Sequence, residues 1–216
     1  MSFDKTKIDY TLYLCTDRGL MSCETIEQSV EEGIKGGCTV VQLREKDCTS
    51  REFYELALRV KKITSKYNVP LIINDRVDIA LLAGADGVHL GQSDMPCKEV
   101  RKLVGEDFII GVSTAKVDEA VQAEKDGADY LGVGAMFSTA TKTDARAVTK
   151  DTLKAIRKAV KIPFVIIGGI KKDNVAEFSD CGINGAAVVS AVVSQPDIEK
   201  AAKEMRLALE KSIKSI

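Results

Sequence analysis

What most constrains this chain is a rhythm. Eight short apolar runs alternate with segments whose apolar positions recur near period 3.6. The runs are YTLYLCT (10–16), CTVVQLR (38–44), PLIIN (70–74), GVHL (87–90), FIIGVS (108–113), YLGVGA (130–135), PFVIIG (163–168) and AAVVSA (186–191). Runs this short and this apolar suit strands buried on both faces, which belong to parallel sheets covered by helices. Between them, SREFYELALRVKKITSKYN (50–68), KVDEAVQAEKDG (116–127) and TKDTLKAIRKAVK (149–161) carry the helical period. Gly36-Gly37, Gly84, Gly127 and Gly182 stand where helices end, and Pro70 and Pro163 where a helix has already stopped. AGADGVHL, KDGADYLGV and SDCGINGAAVV repeat one theme of helix end, glycine turn and buried strand. Eight βα units in 216 residues predict an α/β fold, a single (β/α)8 TIM barrel over residues 1–216. The competitor is an open doubly wound sheet, which usually has a glycine-rich phosphate loop after its first strand. CTDRGLMSCE (15–24) contains neither G-x-G-x-x-G nor G-x-x-x-x-G-K-[ST].

Charge narrows the partners. Lys and Arg (31) balance Asp and Glu (32) for a net charge of −1, so no overall field draws in a nucleic acid and any anion must be held locally. No apolar run approaches the roughly 18 residues of a membrane span, and the N-terminal stretch lacks the apolar core of a signal peptide. A cytoplasmic protein with no membrane partner is expected. Six cysteines without a C-x-x-C pair and a single histidine write no zinc site, so the cysteines read as reduced thiols, Cys15 and Cys38 packing within strands. The helix faces carry enough charge for a monomer, and a homo-oligomer is equally compatible.

In a barrel, chemistry collects at the carboxyl ends of the strands. QLREK (42–46) places Gln42, Arg44 and Lys46 on one side of the chain and Val41, Leu43 and Glu45 on the other. On an edge strand this would be a plain amphipathic pattern. In a closed barrel the Gln42 and Arg44 side points inward, where a cation is costly unless an anionic ligand pairs with it. The third strand ends at Asn74 and Asp75, the fourth runs into Gln92 and Asp94, and the fifth ends at Ser113. Two carboxylates after adjacent strands suit Mg2+, which takes one or two protein carboxylates and completes its shell with water and phosphate oxygens. The competing reading pairs Asp75 with Arg76, or makes Asp75 and Asp94 helix caps. Thr139, Thr141 and Lys142 offer hydroxyls and a charge on the sixth loop, Gly168-Gly169 offers backbone amides, and Ser190 lies at the end of the eighth strand. Loops seven and eight often build a phosphate site in this fold. Two anion sites follow, one of cations and metal, the other of amides and hydroxyls. They would suit one substrate bearing a diphosphate and a second bearing a monophosphate. His89, inside the fourth strand, reads as a satisfied core or supporting residue rather than a general base, and no Ser-His-Asp or Cys-His set stands out.

The stretches QLREK (42–46), NDRVDIALLAGADGVHLGQSDMP (74–96), GVS (111–113), TATK (139–142), GGI (168–170) and VVSA (188–191) together resemble the thiamine-phosphate synthase (thiamine-phosphate pyrophosphorylase) family, in family order and through nearly the whole barrel. The resemblance implies a transferase that joins 4-amino-2-methyl-5-(diphosphooxymethyl)pyrimidine to a thiazole phosphate, or its carboxylated tautomer, releasing diphosphate and giving thiamine phosphate. Carried over, Gln42, Leu43, Arg44, Glu45, Lys46 and Asn74 would hold the pyrimidine diphosphate, with Ser113 on the pyrimidine and Lys142 on the diphosphate. Asp75 and Asp94 would bind Mg2+. Thr139, Ala140, Thr141, Gly169, Val189 and Ser190 would hold the thiazole phosphate. Arg44, Lys46, Lys142 and Ser113 would carry catalysis. One departure is Ser138, where family members often have proline, which should loosen that loop without removing a ligand. Two other readings remain: a thiazole tautomerase using only the monophosphate site with His89 as proton carrier, and a silent barrel that binds thiamine phosphate as a sensor.

Overall fold

Each apolar run forms a strand in the computed structural model, which describes residues 3–137 and 148–213. The strands are β1 (Leu12–Cys15), β2 (Val40–Leu43), β3 (Leu71–Asn74), β4 (Gly87–Leu90), β5 (Ile109–Thr114), β6 (Tyr130–Gly134), β7 (Phe164–Ile167) and β8 (Gly185–Val188). All pair in parallel and in chain order, and β1 closes on β8 with Tyr13 opposite Ala187. The barrel disposes of the edge-strand reading of QLREK, because β2 is paired on both sides. Alternation sorts the side chains. Tyr13, Cys15, Val40, Ile72, Ile109, Tyr130, Val165 and Ala187 fill the lumen. Leu12, Leu14, Val41, Leu43, Leu71 and Ile73 face the helices. Since both faces are dry, the strands read as apolar runs rather than alternating ones.

The helical layer comprises α1 (Ile26–Lys35), α2 (Ser50–Lys66), α3 (Val77–Leu82), α4 (Cys97–Val104), α5 (Val117–Lys125), α6 (Lys150–Ala159), α7 (Ser190–Val193) and α8 (Ile198–Ser212). Thr49 and Glu52 form a reciprocal capping box that starts α2, and Thr149 caps α6 by accepting from Thr152 N–H. α2 stops two residues short of its periodic pattern because Asn68 turns left-handed at φ 54° before Pro70. One βα unit departs from expectation. Between β7 and β8 the chain makes only a 3-10 turn, Val175–Phe178, because Asn174 accepts from Lys171 N–H in a local turn and only Val175 and Phe178 face the core.

The repeated glycine theme has a structural cause at the bottom of the barrel. The polar residue just before each even strand accepts an amide at the start of the strand before it. Thr39 Oγ1 accepts from Leu12 N–H (3.2 Å), Asp86 from Leu71 (2.7 Å), Asp129 from Ile110 (2.8 Å) and Asn184 from Phe164 (3.0 Å). A basic side chain from the preceding helical layer buttresses three of them: Lys61 on Asp86, Arg101 on Asp129 and Arg157 on Asn184. In the first quarter Arg206 instead donates to the Gly37 carbonyl. The echo is thus a quarter-barrel unit that seals the strand starts. Arg101 is the most heavily used, donating to the carbonyls of Gly105, Phe108 and Gly127 and to Asp129 while only 9% exposed. Arg101→Met should therefore destabilise the protein by about 3–5 kcal/mol, the usual cost of breaking a buried, hydrogen-bonded ion pair. Because Arg101 lies at the opposite end from the strand termini discussed below, kcat/KM of the folded fraction should be unchanged; chemical denaturation and steady-state kinetics check the two halves. Among the described residues no helix is long and apolar enough to cross a membrane.

Candidate active site

The carboxyl ends of the strands surround a cavity of about 400 Å3. Its floor is the lumen layer of Tyr13, Cys15, Val165 and Ala187, and its rim includes Gln42, Arg44, Asn74, Ser113, Gly169, Val189 and Ser190. Beside it, a hollow of about 530 Å3 opens between the β1 and β2 loops, bounded by Asp17, Arg18, Glu45 and Lys46, and Arg44 borders both.

β2 aims Gln42 into the lumen, where it is 6% exposed and its Nε2 donates to the Tyr13 hydroxyl at 2.9 Å. Arg44 is fixed by its backbone, whose N–H donates to Thr16 Oγ1 (3.0 Å), and by Nη1, which donates to Asp17 Oδ2 (3.2 Å). Lys46 extends to the next loop and pairs with Asp75. Two residues of the stretch turn the other way. Leu43 is fully buried among the helix-facing residues, and the Glu45 carboxylate is held by Arg18 at 3.1 Å. Alternation along β2 turns the Leu43 side chain away from the Gln42 side, so Leu43 would meet a ligand through its backbone, while Glu45 borders the hollow beside Arg44.

Asp75 sits in the left-handed region at φ 62°. Its N–H donates to the His89 carbonyl (2.8 Å), and the next N–H, of Arg76, folds back to the Asn74 carbonyl (2.7 Å). This three-residue turn is strained, and it directs the Asp75 carboxyl to Asp94 rather than along the chain. The Arg76 reading of Asp75 and the helix-cap reading of both aspartates fail. Arg76 binds Asp78 instead, α3 has no side-chain cap, and Pro96 occupies the N-cap position of α4, which has none either. Asp94 Oδ2 accepts from Gly91 N–H at 2.6 Å, and its carboxyl shares a hydrogen bond with Asp75. Burial pushes the Asp75 carboxyl up, but the bonds from Lys46 and Asp94 and the Lys46 charge outweigh it and hold it below the usual range. Asp94 is pushed above that range by burial and by the bond to and charge of Asp75, against the pull of the Gly91 amide. Two touching carboxylates kept apart in proton affinity form a hard-oxygen site suited to a divalent cation.

The far wall is backbone. Gly168 (φ 100°) and Gly169 (φ 70°) follow β7 in conformations open to glycine. A Cβ at Gly169 would stand 2.8 Å from Phe137 Cβ, so only glycine lets this turn lie against the start of the sixth loop. Val189 and Ser190 enter from β8 on the same side. Ser138, Thr139, Ala140, Thr141 and Lys142 lie outside the described residues. Four participants escaped the sequence reading, Tyr13 of the cavity floor among them. Asp17 and the exposed Lys171 were legible only as residues just past strands β1 and β7. Tyr130 carried no polar signal within an apolar run.

A closed parallel barrel with cations, paired carboxylates and glycine amides around its mouth defines a TIM-barrel enzyme acting on phosphorylated small molecules. Residues 12–192 match the family model described as Thiamine monophosphate synthase. A thiamine-phosphate synthase of Clostridium beijerinckii is 60% identical over 202 residues, 94% of this chain and 97% of that relative. One of Methanobrevibacter smithii is 52% identical over 207 residues, 96% and 95% of the two chains. The solved thiamine phosphate pyrophosphorylase of Pyrococcus furiosus superposes with a TM-score of 0.89 at 41% identity, covering 97% of this chain and 100% of that one. The chain belongs to the thiamine monophosphate synthase family, and its activity is that of a transferase of thiamine biosynthesis.

Proposed function

We propose that the mouth of the barrel forms thiamine phosphate by dissociative substitution. The C–O bond of the pyrimidine methyl diphosphate breaks first, the electron pair leaves with diphosphate, and the thiazole nitrogen gives its lone pair to the resulting methylene cation. A thiazole arriving as its carboxylated tautomer loses carbon dioxide as well. The observation that carries this reading is the convergence of Arg44 and the Lys46–Asp75–Asp94 cluster on one wall, opposite the Gly168-Gly169 turn. One wall suits a diphosphate and the other a monophosphate.

Each residue then has a defined task. Arg44 and Lys46 neutralise charge growing on the leaving diphosphate, an electrostatic contribution that needs no proton transfer. Lys142 would join them from the sixth loop. Gln42, Asn74 and Ser113 orient the pyrimidine over the tyrosine floor. Cys15, Val165 and Ala187 keep that floor apolar, so that the thiazole rather than water meets the cation. The backbone of Gly169, Val189 and Ser190, with Thr139 to Thr141, would hold the thiazole phosphate. Asp75 and Asp94 fit Mg2+ as a pair of hard donors. Mg2+ would take most of its shell from water and phosphate oxygens. When bound there, Mg2+ would add positive charge to the departing diphosphate.

Incubating the protein with both substrates, with and without Mg2+, and following thiamine phosphate and diphosphate together tests the reading. Equimolar, Mg2+-dependent appearance of both is expected. Metal-independent isomerisation of a thiazole phosphate without diphosphate release would replace coupling by tautomerisation.

A further inference from the structure

Five side chains form a continuous hydrogen-bonded chain across the lumen. Gln42 Nε2 donates to Tyr13 Oη (2.9 Å), Tyr13 Oη meets Tyr130 Oη (2.7 Å), Tyr130 Oη meets His89 Nδ1 (2.9 Å), and His89 Nε2 meets Ser113 Oγ (2.9 Å). Both tyrosines are fully buried, and the ring of Tyr10 lies tilted against that of Tyr130 with centroids 4.9 Å apart. Gly111 leaves the space that the Tyr130 ring fills, since a Cβ there would stand 2.1 Å from Cζ. Burial holds both hydroxyls far above the usual tyrosine range. Each therefore keeps one hydrogen to give.

That arithmetic gives the chain a direction. Tyr13 accepts from Gln42, so its own hydrogen goes to Tyr130. Tyr130 then gives its hydrogen to His89 Nδ1, and a neutral imidazole that accepts at Nδ1 carries its hydrogen on Nε2. His89 thus donates to Ser113 Oγ, and the Ser113 hydrogen points on to the cavity. We propose that Tyr13 and Tyr130 are positioning residues which hold His89 as its Nε2–H tautomer and so fix Gln42 as hydrogen-bond acceptor and Ser113 as donor toward the substrate. Reversing one end reverses the other, because no hydroxyl in the middle has a second hydrogen. With Nε2 engaged by Tyr13, Gln42 Oε1 is left as acceptor and Ser113 Oγ as donor, which match the exocyclic amine and a ring nitrogen of an aminopyrimidine. A pyrimidinone, with an acceptor where the amine stands, mismatches. This last step rests on the coupling reading above; the tautomer does not.

His89 is the only histidine, so nitrogen-15 spectra of the histidine-labelled protein read it without assignment ambiguity. At about pH 8, well above the reference imidazole value of about 6.5, the wild-type ring should show a pyrrole-like Nε2 and a pyridine-like Nδ1. Tyr130→Phe should bring the two resonances together or exchange them. Tyr13→Phe removes the bond that orients the Tyr130 hydroxyl and should move the two resonances in the same direction, by less than Tyr130→Phe does. A wild-type ring protonated at Nδ1 overturns the proposal, as does a tautomer unmoved by Tyr130→Phe in a protein with native amide dispersion. In the coupling assay, Tyr130→Phe should raise KM for the pyrimidine diphosphate about fivefold, the effect of one neutral hydrogen bond, with KM for the thiazole phosphate within about twofold. Equal movement of both constants would mark a merely structural tyrosine. The expected tautomer in a protein without coupling activity would overturn the reaction, not the hydrogen-bonded chain.

Discussion

Arg44→Ala is expected to lower kcat/KM for the pyrimidine diphosphate by roughly a hundredfold or more, about 3 kcal/mol of transition-state stabilisation, as for one preorganised donor to a developing anion. Most of the loss should appear in kcat, because the charge it meets grows as the C–O bond breaks. The side chains of Arg44 and Asp17 are 21% and 16% exposed, so their partly solvated ion pair adds only about 0–1 kcal/mol to folding. Activity should therefore fall far more than stability. Arg44→Lys restores the charge but not the planar fork, and should recover only part of the loss. A kcat/KM for Arg44→Ala within about twofold of wild type would remove this residue from the mechanism.

Asp94→Asn should have an equally large effect on activity and the opposite sign on stability. The asparagine carbonyl can still accept from Gly91 N–H while the like charge beside Asp75 is gone. The metal-free variant is thus expected to be no less stable than wild type by thermal unfolding. With one hard donor lost, Mg2+ affinity in the presence of diphosphate should fall about tenfold to a hundredfold by calorimetry, and coupling should fall with it. Raising Mg2+ should restore part of the rate. If the variant binds Mg2+ and turns over as wild type does, Asp94 is not a ligand. Asp75→Asn should behave alike toward metal, and asparagine tolerates the left-handed backbone at φ 62° that alanine would strain.

The strand ends were legible because a parallel barrel leaves little choice. Once eight buried runs are counted, Gln42, Asn74, Ser113 and Ser190 must lie near one rim, and a cation in an inward position needs an anion. The same alternation that pointed Gln42 and Arg44 inward turns the Leu43 side chain toward the helices. The local readings of Asp75 and Asp94 failed because capping rules describe a helix start, whereas here a strained turn after β3 directs one carboxyl across to the next loop. Nothing in the chain announces that Tyr13 and Tyr130, 117 residues apart, share a hydrogen bond at 2.7 Å. Sequence patterns record the apolar character of a tyrosine and say nothing of where its hydroxyl ends.

By itself, then, the sequence determined the number and order of strands, their burial on both faces, the rim that would carry charge and the family whose motifs it holds. Those follow from local periodicity and from residue types at strand ends, which survive any detail of packing. Only the tertiary structure decided that Lys46 meets Asp75, that Asp75 meets Asp94, and that five side chains from β1, β2, β4, β5 and β6 form one hydrogen-bonded chain. Such contacts depend on barrel closure and on the register between strands, both long-range quantities to which a single stretch of chain carries no key.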